Sequence, residues 1–356
     1  MSEPMDRRTF LKRAARVGAG AAIVGAGGGI GGGLLLQRSR RPWDASVFPP
    51  PGRARVAVVK AASYQAELEK IVLAGLREVG AEVAGRSVLL KPNLVEYDPG
   101  TAINTDPRLV AATVLAMRRL GASSVTVAEG PGHRRDVQYV VAASGLLEAL
   151  REVAAPFVDL NAAALVRRPL HSRFTDLREL WLPEPVVEAD IVVSMPKMKT
   201  HHWAGVTLSI KNCFGCVPGR VYGWPKNVLH WAGLTEAVVD VGAAVRPHLQ
   251  IVDGIVGMEG NGPIQGTAVP AGLLVFGTDP VATDVTAVRL MGLDPSRVPS
   301  LVAAARFLGQ GDPDRIDQAG EDVERSVVDF AVLPQFAGLR AGAAPGAGGG
   351  LDAGPA

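Results

Sequence analysis

The chain has 356 residues, 47% hydrophobic and 20% charged, with 37 Lys and Arg against 35 Asp and Glu. That length suits one large domain or two small ones, at about 100–200 residues per domain, and the two cysteines, Cys213 and Cys216, exclude a framework of several disulfides. Eight of the basic and two of the acidic residues lie within residues 1–41, leaving 29 basic and 33 acidic, so the formal charge of +2 becomes −4 beyond that segment and gives no support for a nucleic-acid partner.

The basic opening reads as an export signal. Asp6-Arg7-Arg8-Thr9-Phe10-Leu11-Lys12 has the arginine pair and Phe-Leu-Lys order read by the twin-arginine translocase. The apolar run Ala14–Leu36 follows, broken only by Arg16. Its many glycines each weaken a helix by about 1 kcal/mol relative to Ala, which suits such a signal better than a stable membrane helix. The run is still close to the roughly 20 residues a span requires, and no small-x-small cleavage site follows Leu36. An uncleaved signal acting as a membrane anchor therefore stays open. The expected location is periplasmic or otherwise extracytoplasmic. Because this translocase carries folded cargo, a cofactor or metal acquired before export is also an expectation.

After a proline-bearing linker over 42–54, one grammar repeats: a short β-rich run, a polar turn, then a helix-like stretch. The β-runs are Arg55–Val59, Ser87–Leu90, Ser124–Ala128, Ile191–Ser194, Gln250–Val252 and Gly272–Phe276. Most are continuously apolar, as in strands covered on both faces. The helix stretches are Tyr64–Val79, Pro107–Leu120, Val137–Ala149, Leu229–Val245, Asp279–Met291 and Ser300–Leu308. This alternation predicts one large α/β domain over 55–332, a mostly parallel sheet with helices on both faces. Residues 333–356, almost wholly Ala, Gly and Pro from Ala341 on, read as a disordered tail.

Ligands in such sheets bind beyond the carboxyl ends of the strands, and the polar turns follow the β-runs. Lys91-Pro92-Asn93 follows the second run and Glu129-Gly130-Pro131-Gly132-His133 the third. Pro196-Lys197-Met198-Lys199-Thr200-His201 follows the fourth, the glycine-dense stretch Asp253–Pro263 the fifth, and Thr278-Asp279-Pro280 the sixth. Parallel strands would bring all five turns to one edge. Lys197 and Lys199 would share a side if extended, and lysine takes phosphate or carboxylate as a point charge. His201 can act as acid or base, with Asp253 orienting it or holding a metal. Lys91, Asn93, Lys211 and Asn212 supply further charges and amides, and Gly260, Asn261 and Gly262 would let main-chain amides approach a ligand. Cys213-x-x-Cys216, Glu259 and Asp284 are the metal candidates, although Cys-x-x-Cys without a second cysteine pair is half a site. Asp279 reads as a helix N-cap before Pro280.

Taken jointly, these motifs resemble the prokaryotic domain-of-unknown-function family 362. They are Lys-Pro-Asn at 91–93, Pro-Lys-Met-Lys-Thr-His at 196–201, Lys-Asn-Cys-Phe-Gly at 211–215, Asp-Gly-Ile-Val-Gly-Met-Glu-Gly-Asn-Gly-Pro at 253–263 and Asp-Pro-Val-Ala-Thr-Asp at 279–284. The resemblance implies no settled activity. Some members carry a ferredoxin-like segment with two four-cysteine iron–sulfur motifs. This chain lacks those cysteines, so a resident four-iron cluster is not expected. The first functional expectation is an enzyme for a small phosphate- or carboxylate-bearing substrate, with His201, Lys197, Lys199 and Asp253 as its chemistry. The alternatives are a metal-binding or iron–sulfur-associated redox carrier and an assembly factor.

Overall fold

The computed structural model describes residues 41–132 and 136–343. The arginine pair, the apolar run, His133 and residues 344–356 lie outside them. No helix of the described residues is long and apolar enough to cross a membrane.

Eleven strands form one mixed, mostly parallel sheet. In chain order the strands are β1 Ala54–Lys60, β2 Ser87–Pro92, β3 Ser124–Glu129, β4 Phe157–Asp159, β5 Leu165–Pro169, β6 Glu179–Pro183, β7 Ile191–Met195, β8 Lys197–His201, β9 Gly205–Thr207, β10 Leu249–Asn261, β11 Gln265–Val269, β12 Leu273–Gly277 and β13 Ile316–Gly320. The sheet order is β13-β1-β12-β10-β7-β2-β3-β4, and β5 and β6 form a separate hairpin. Alternate residues of each central strand enter different cores, as the period of two requires. Val88, Leu90, Ile191 and Val193 pack with α1 (Leu68–Glu78) and α2 (Pro107–Arg119). Leu89, Val192 and Val252 pack with α3 (Leu234–Val245) and α4 (Pro280–Leu290). Each such side chain removed from water contributes about 1.5–3 kcal/mol.

Strand direction corrects one expectation. β12 runs antiparallel to both β1 and β10, whereas β10, β7, β2, β3 and β4 are mutually parallel. Four polar turns therefore reach one rim, and the turn at Thr278-Asp279 sits at the other. There Asp279 caps α4, accepting from Val281 N and Ala282 N at 2.9 Å each.

Two expected loops are strands. Lys197–His201 is β8, wholly buried. The glycine-dense stretch continues β10 to Asn261 and turns back as β11. Its glycines serve close packing: a methyl group on Gly257 would sit 2.7 Å from the Met198 carbonyl oxygen and 2.7 Å from the Phe330 ring. Gly257→Ala should accordingly cost about 1–3 kcal/mol by overpacking, read as a lower urea midpoint with an unchanged slope.

The domain also exceeds its expected bounds. The supposed linker 42–54 is folded onto it: Trp43 stacks on Phe307 at 5.1 Å, and buried Phe48 meets the same ring edge-on at 4.9 Å. The supposed tail begins with the 3-10 turn Pro334–Leu339, whose Phe336 and Leu339 are buried in the core. Aromatic anchors outweigh the proline and glycine content in both segments.

Candidate functional site

The parallel register sets Lys91 of β2 beside Ser194 of β7. Lys91 is 1% exposed and pairs with Glu129 at the end of β3. Its Nζ also donates to Asn212 Oδ1 and to the Pro92 carbonyl, each at 2.8 Å. Asn212 Nδ2 in turn donates to the Lys91 carbonyl at 3.1 Å and to Ser194 Oγ at 3.0 Å. One amide thus fastens two strand ends to the helical turn Ser209–Asn212. That turn is held from beneath by Asp284, which accepts from Ser209 N at 2.8 Å and Ile210 N at 3.0 Å.

A second buried pair lies on the β8–β10 ladder, where Lys197 opposes Asp253. Their charged atoms are 2.6 Å apart. The Tyr64 hydroxyl accepts from Lys197 and donates to Asp253, both at 2.8 Å, and Asp106 N donates to Asp253 at 3.0 Å. Burial and the Asp253 charge push the Tyr64 phenol well up, keeping it protonated. Asp253 is thus committed to Lys197, and His201 takes other partners. Neither Lys197 nor Asp253 is on the wall of the cavity beside them.

That cavity, of about 160 Å³, lies between the β2 and β3 ends, β8 and the segment 211–230. Three lysines reach it. Lys199 is fully buried and donates to the Ile103 carbonyl at 2.9 Å; burial, then the charge of Lys211, holds its amine well below the usual lysine range. Lys226, in the left-handed region at φ 69°, donates to the Gly130 carbonyl at 3.0 Å and to the Phe214 carbonyl. Burial lowers it to about 7. Lys211 is part-exposed on the wall, its Nζ 5.0 Å from the Phe214 ring centre. It is lowered to about 8 by burial and then by Lys91.

Three histidines complete the walls, and their hydrogen bonds fix their protons. His201 Nδ1 accepts from the backbone amides of Trp203 at 3.0 Å and Ala204 at 3.2 Å. An amide can only donate, so Nδ1 is bare and the neutral ring carries its proton on Nε2. Burial, then Lys211, holds this imidazole well below its usual range. His201 is therefore a neutral donor at Nε2, where the sequence suggested a base. His202 and His230 are the converse: Nδ1 of each donates to a carbonyl, Gly262 at 2.7 Å and Lys226 at 3.1 Å. Burial lowers the His230 imidazole, and its neutral ring carries the lone pair on Nε2. Glu129 is the single carboxylate on the described walls, and Lys91 already neutralises it.

The other sequence candidates stand elsewhere. Gly260 and Asn261 end β10, with the Asn261 side chain bonded to Gln265, and Gly262 offers its carbonyl to His202. Glu259 accepts from Ala331 N at 2.7 Å. Cys213 and Cys216 are buried, and burial pushes the first thiol well up and the second to about 11, so both stay protonated. Among the described residues no group of three or more His, Cys, Asp or Glu is placed to hold one metal ion. Asp284 serves the fold, and burial raises it from 3.8 to about 7. Its folded form binds a proton more readily than its unfolded form. It therefore adds stability that is fully present below about pH 4 and lost as pH rises through 7. Urea unfolding from pH 4.5 to 7.5 should show a slope that Asp284→Asn flattens.

Lys226 was not foreseen, yet a signal for it exists. Of the 37 basic residues only eight are lysines, and five of these lie between Lys91 and Lys226. In the described residues just two others, Lys60 and Lys70, occupy the surface. Arginine supplies the remaining surface cations, so lysine marks the site.

Residues 88–289 match the profile of the family described as Domain of unknown function (DUF362). The chain is 30% identical over 266 residues to the Thylakoid-associated protein sll1697 of Synechocystis sp., covering 71% of this chain and 79% of that one. It also has a weak likeness, at TM-score 0.44 and 13% identity, to the lactate racemase apoprotein of Thermoanaerobacterium thermosaccharolyticum, covering 70% of this chain and 58% of the length of that structure.

Proposed function

The chain belongs to the family of domain of unknown function DUF362, and from that premise we propose that its domain is an enzyme for a small anionic substrate held in the Lys199–Lys211–Lys226 cavity. The observation that carries this reading is the charge balance of the walls. Three lysines and a neutral Nε2–H donor face a space whose single described carboxylate is already paired. Preorganised donors in a water-poor cavity act most strongly on charge that develops during reaction. Lys226 and Lys211, in their cationic forms, would neutralise a carboxylate or phosphate, and Lys199 would add a hydrogen-bond donor. His201 Nε2–H would polarise a carbonyl or phosphoryl oxygen as a neutral imidazole does, and His230 Nε2 would accept a proton. Lys91 and Asn212 hold the walls in register.

Calorimetric titration with sulfate, inorganic phosphate and small carboxylates tests the reading. Lys226→Met should weaken binding at least about tenfold, the equivalent of about 1.4 kcal/mol. Unchanged affinity in both Lys226→Met and Lys211→Met would remove the site. Sulfate keeps its charge across neutral pH, so it isolates the lysines. With Lys226 near 7 and Lys211 near 8, the cationic forms that attract sulfate are lost as pH rises. Affinity should fall from pH 6.5 to pH 9.

We also propose export by the twin-arginine route, with the uncleaved segment as an alternative membrane attachment. The curated relative is named as thylakoid-associated, which is consistent with such attachment. Arg7→Lys with Arg8→Lys should block export. Sequencing the exported protein from its N-terminus separates cleavage from anchoring.

A further inference from the structure

Five lysines wall the cavity or stand directly behind it, and in four of them Nζ is engaged. Lys91 is paired with Glu129 and Lys197 with Asp253. Lys199 donates to the Ile103 carbonyl and Lys226 to those of Gly130 and Phe214. Lys211 differs. Among the described residues its Nζ has neither a hydrogen bond nor an ion pair, and it lies over the face of Phe214. It is part-exposed on the cavity wall, within reach of a bound molecule.

We infer that Lys211 is a nucleophilic amine that condenses with the carbonyl group of a small anionic aldehyde or ketone in this cavity, forming an imine at Nζ. This rests on reading the cavity as an anion site. Nucleophilic lysines are made by apolar surroundings and neighbouring cations, which favour the neutral amine and leave its lone pair unengaged. Here the Phe214 ring face lies against Nζ at 5.0 Å and Lys91 is the neighbouring cation, and burial with Lys91 brings Lys211 down to about 8.

The chemistry balances within the site. The Nζ lone pair attacks the carbonyl carbon and the C=O π pair moves to oxygen. A proton passes from nitrogen to that oxygen, giving a carbinolamine. The second Nζ proton is then transferred to the carbinolamine hydroxyl, which leaves as water as the nitrogen lone pair forms C=N, and the reverse sequence consumes that water. His201 Nε2–H is the group to bond the carbonyl oxygen, and His230 Nε2 the group to relay the proton. Both rings are near enough to Lys211 for its charge to be the second cause, after burial, of their lowered pKa.

Borohydride trapping decides it. The full chain is incubated with pyruvate, glyoxylate or oxaloacetate, reduced, digested and mapped by mass spectrometry. A borohydride-dependent mass equal to the oxo acid less one oxygen atom should appear on the Lys211 peptide. It should be absent from Lys211→Arg, which keeps the cation without the nucleophile. Labelling should persist in Lys70→Arg, a surface control. No such mass on Lys211 with any of the three probes overturns the proposal, as does labelling of Lys60 and Lys70 to the same extent as Lys211. Sulfate titration of the same sample reads the anion site separately: retained sulfate binding without trapping leaves the cavity reading intact, and absent sulfate binding removes both.

Discussion

Asp253→Ala should be among the most damaging single substitutions in this domain, lowering unfolding free energy by about 3–5 kcal/mol because it strands a buried charge. Lys197 would remain in the core with its carboxylate gone, and Tyr64 and the Asp106 amide would lose the acceptor they share. The double substitution Lys197→Met with Asp253→Leu isolates the cause. Replacing both charges with apolar groups of similar size is often nearly neutral, so denaturant unfolding should recover much of the loss. A double variant as unstable as the single one would show that the hydrogen bonds around Asp253, and not the orphaned charge, dominate.

Lys91→Met should be comparably destabilising, again by about 3–5 kcal/mol. The Glu129 carboxylate would be left uncompensated, with its Oε2 already lacking a partner among the described residues. A second effect separates this variant from ordinary core damage. Lys91 is the neighbouring charge that adds to burial in lowering Lys211 to about 8. Without it the Lys211 amine should rise toward its ordinary 10.5. The pH dependence of reductive methylation at the Lys211 peptide reads that shift directly, with the surface residue Lys70 followed in the same digest. A profile that does not move would mean that burial alone sets the amine.

Six of the eleven strands of the sheet were legible because buried strands read as short apolar runs, each run falling inside a strand or within two residues of its end; the short edge strands β4, β9 and β13 carry no such run. Direction was not legible. The run at 272–276 looks like its neighbours, yet β12 is reversed, because apolar content records burial and says nothing of chain polarity. Two expected helices proved broken, at Ser144-Gly145 and at Ala232-Gly233, where glycines at φ 80° and 98° end one segment and open the next. Polar residues misled most at 197–201 and 253–263. Lysine, histidine and glycine suggested exposed loops, but paired charges and missing side chains let both segments run through the core as strands. Of the site itself, Lys91, Asn93, Lys199, His201, Lys211 and Asn212 do come together. Lys197 and Asp253 form the support behind them. The proton positions on His201, His202 and His230 depend on which backbone atoms those rings meet, and no residue type announces that.

The reversal of β12 gives the molecule a chemical polarity that can be handled from outside. Every cavity lysine belongs to one rim, while the opposite rim carries the Asp279 cap and the exposed residues 312–315 that lead into β13. A tag, fluorophore or tether grafted at 312–315 would sit across the full length of the strands from the cavity. A surface coated through that loop would present the molecules mouth outward, all in one orientation.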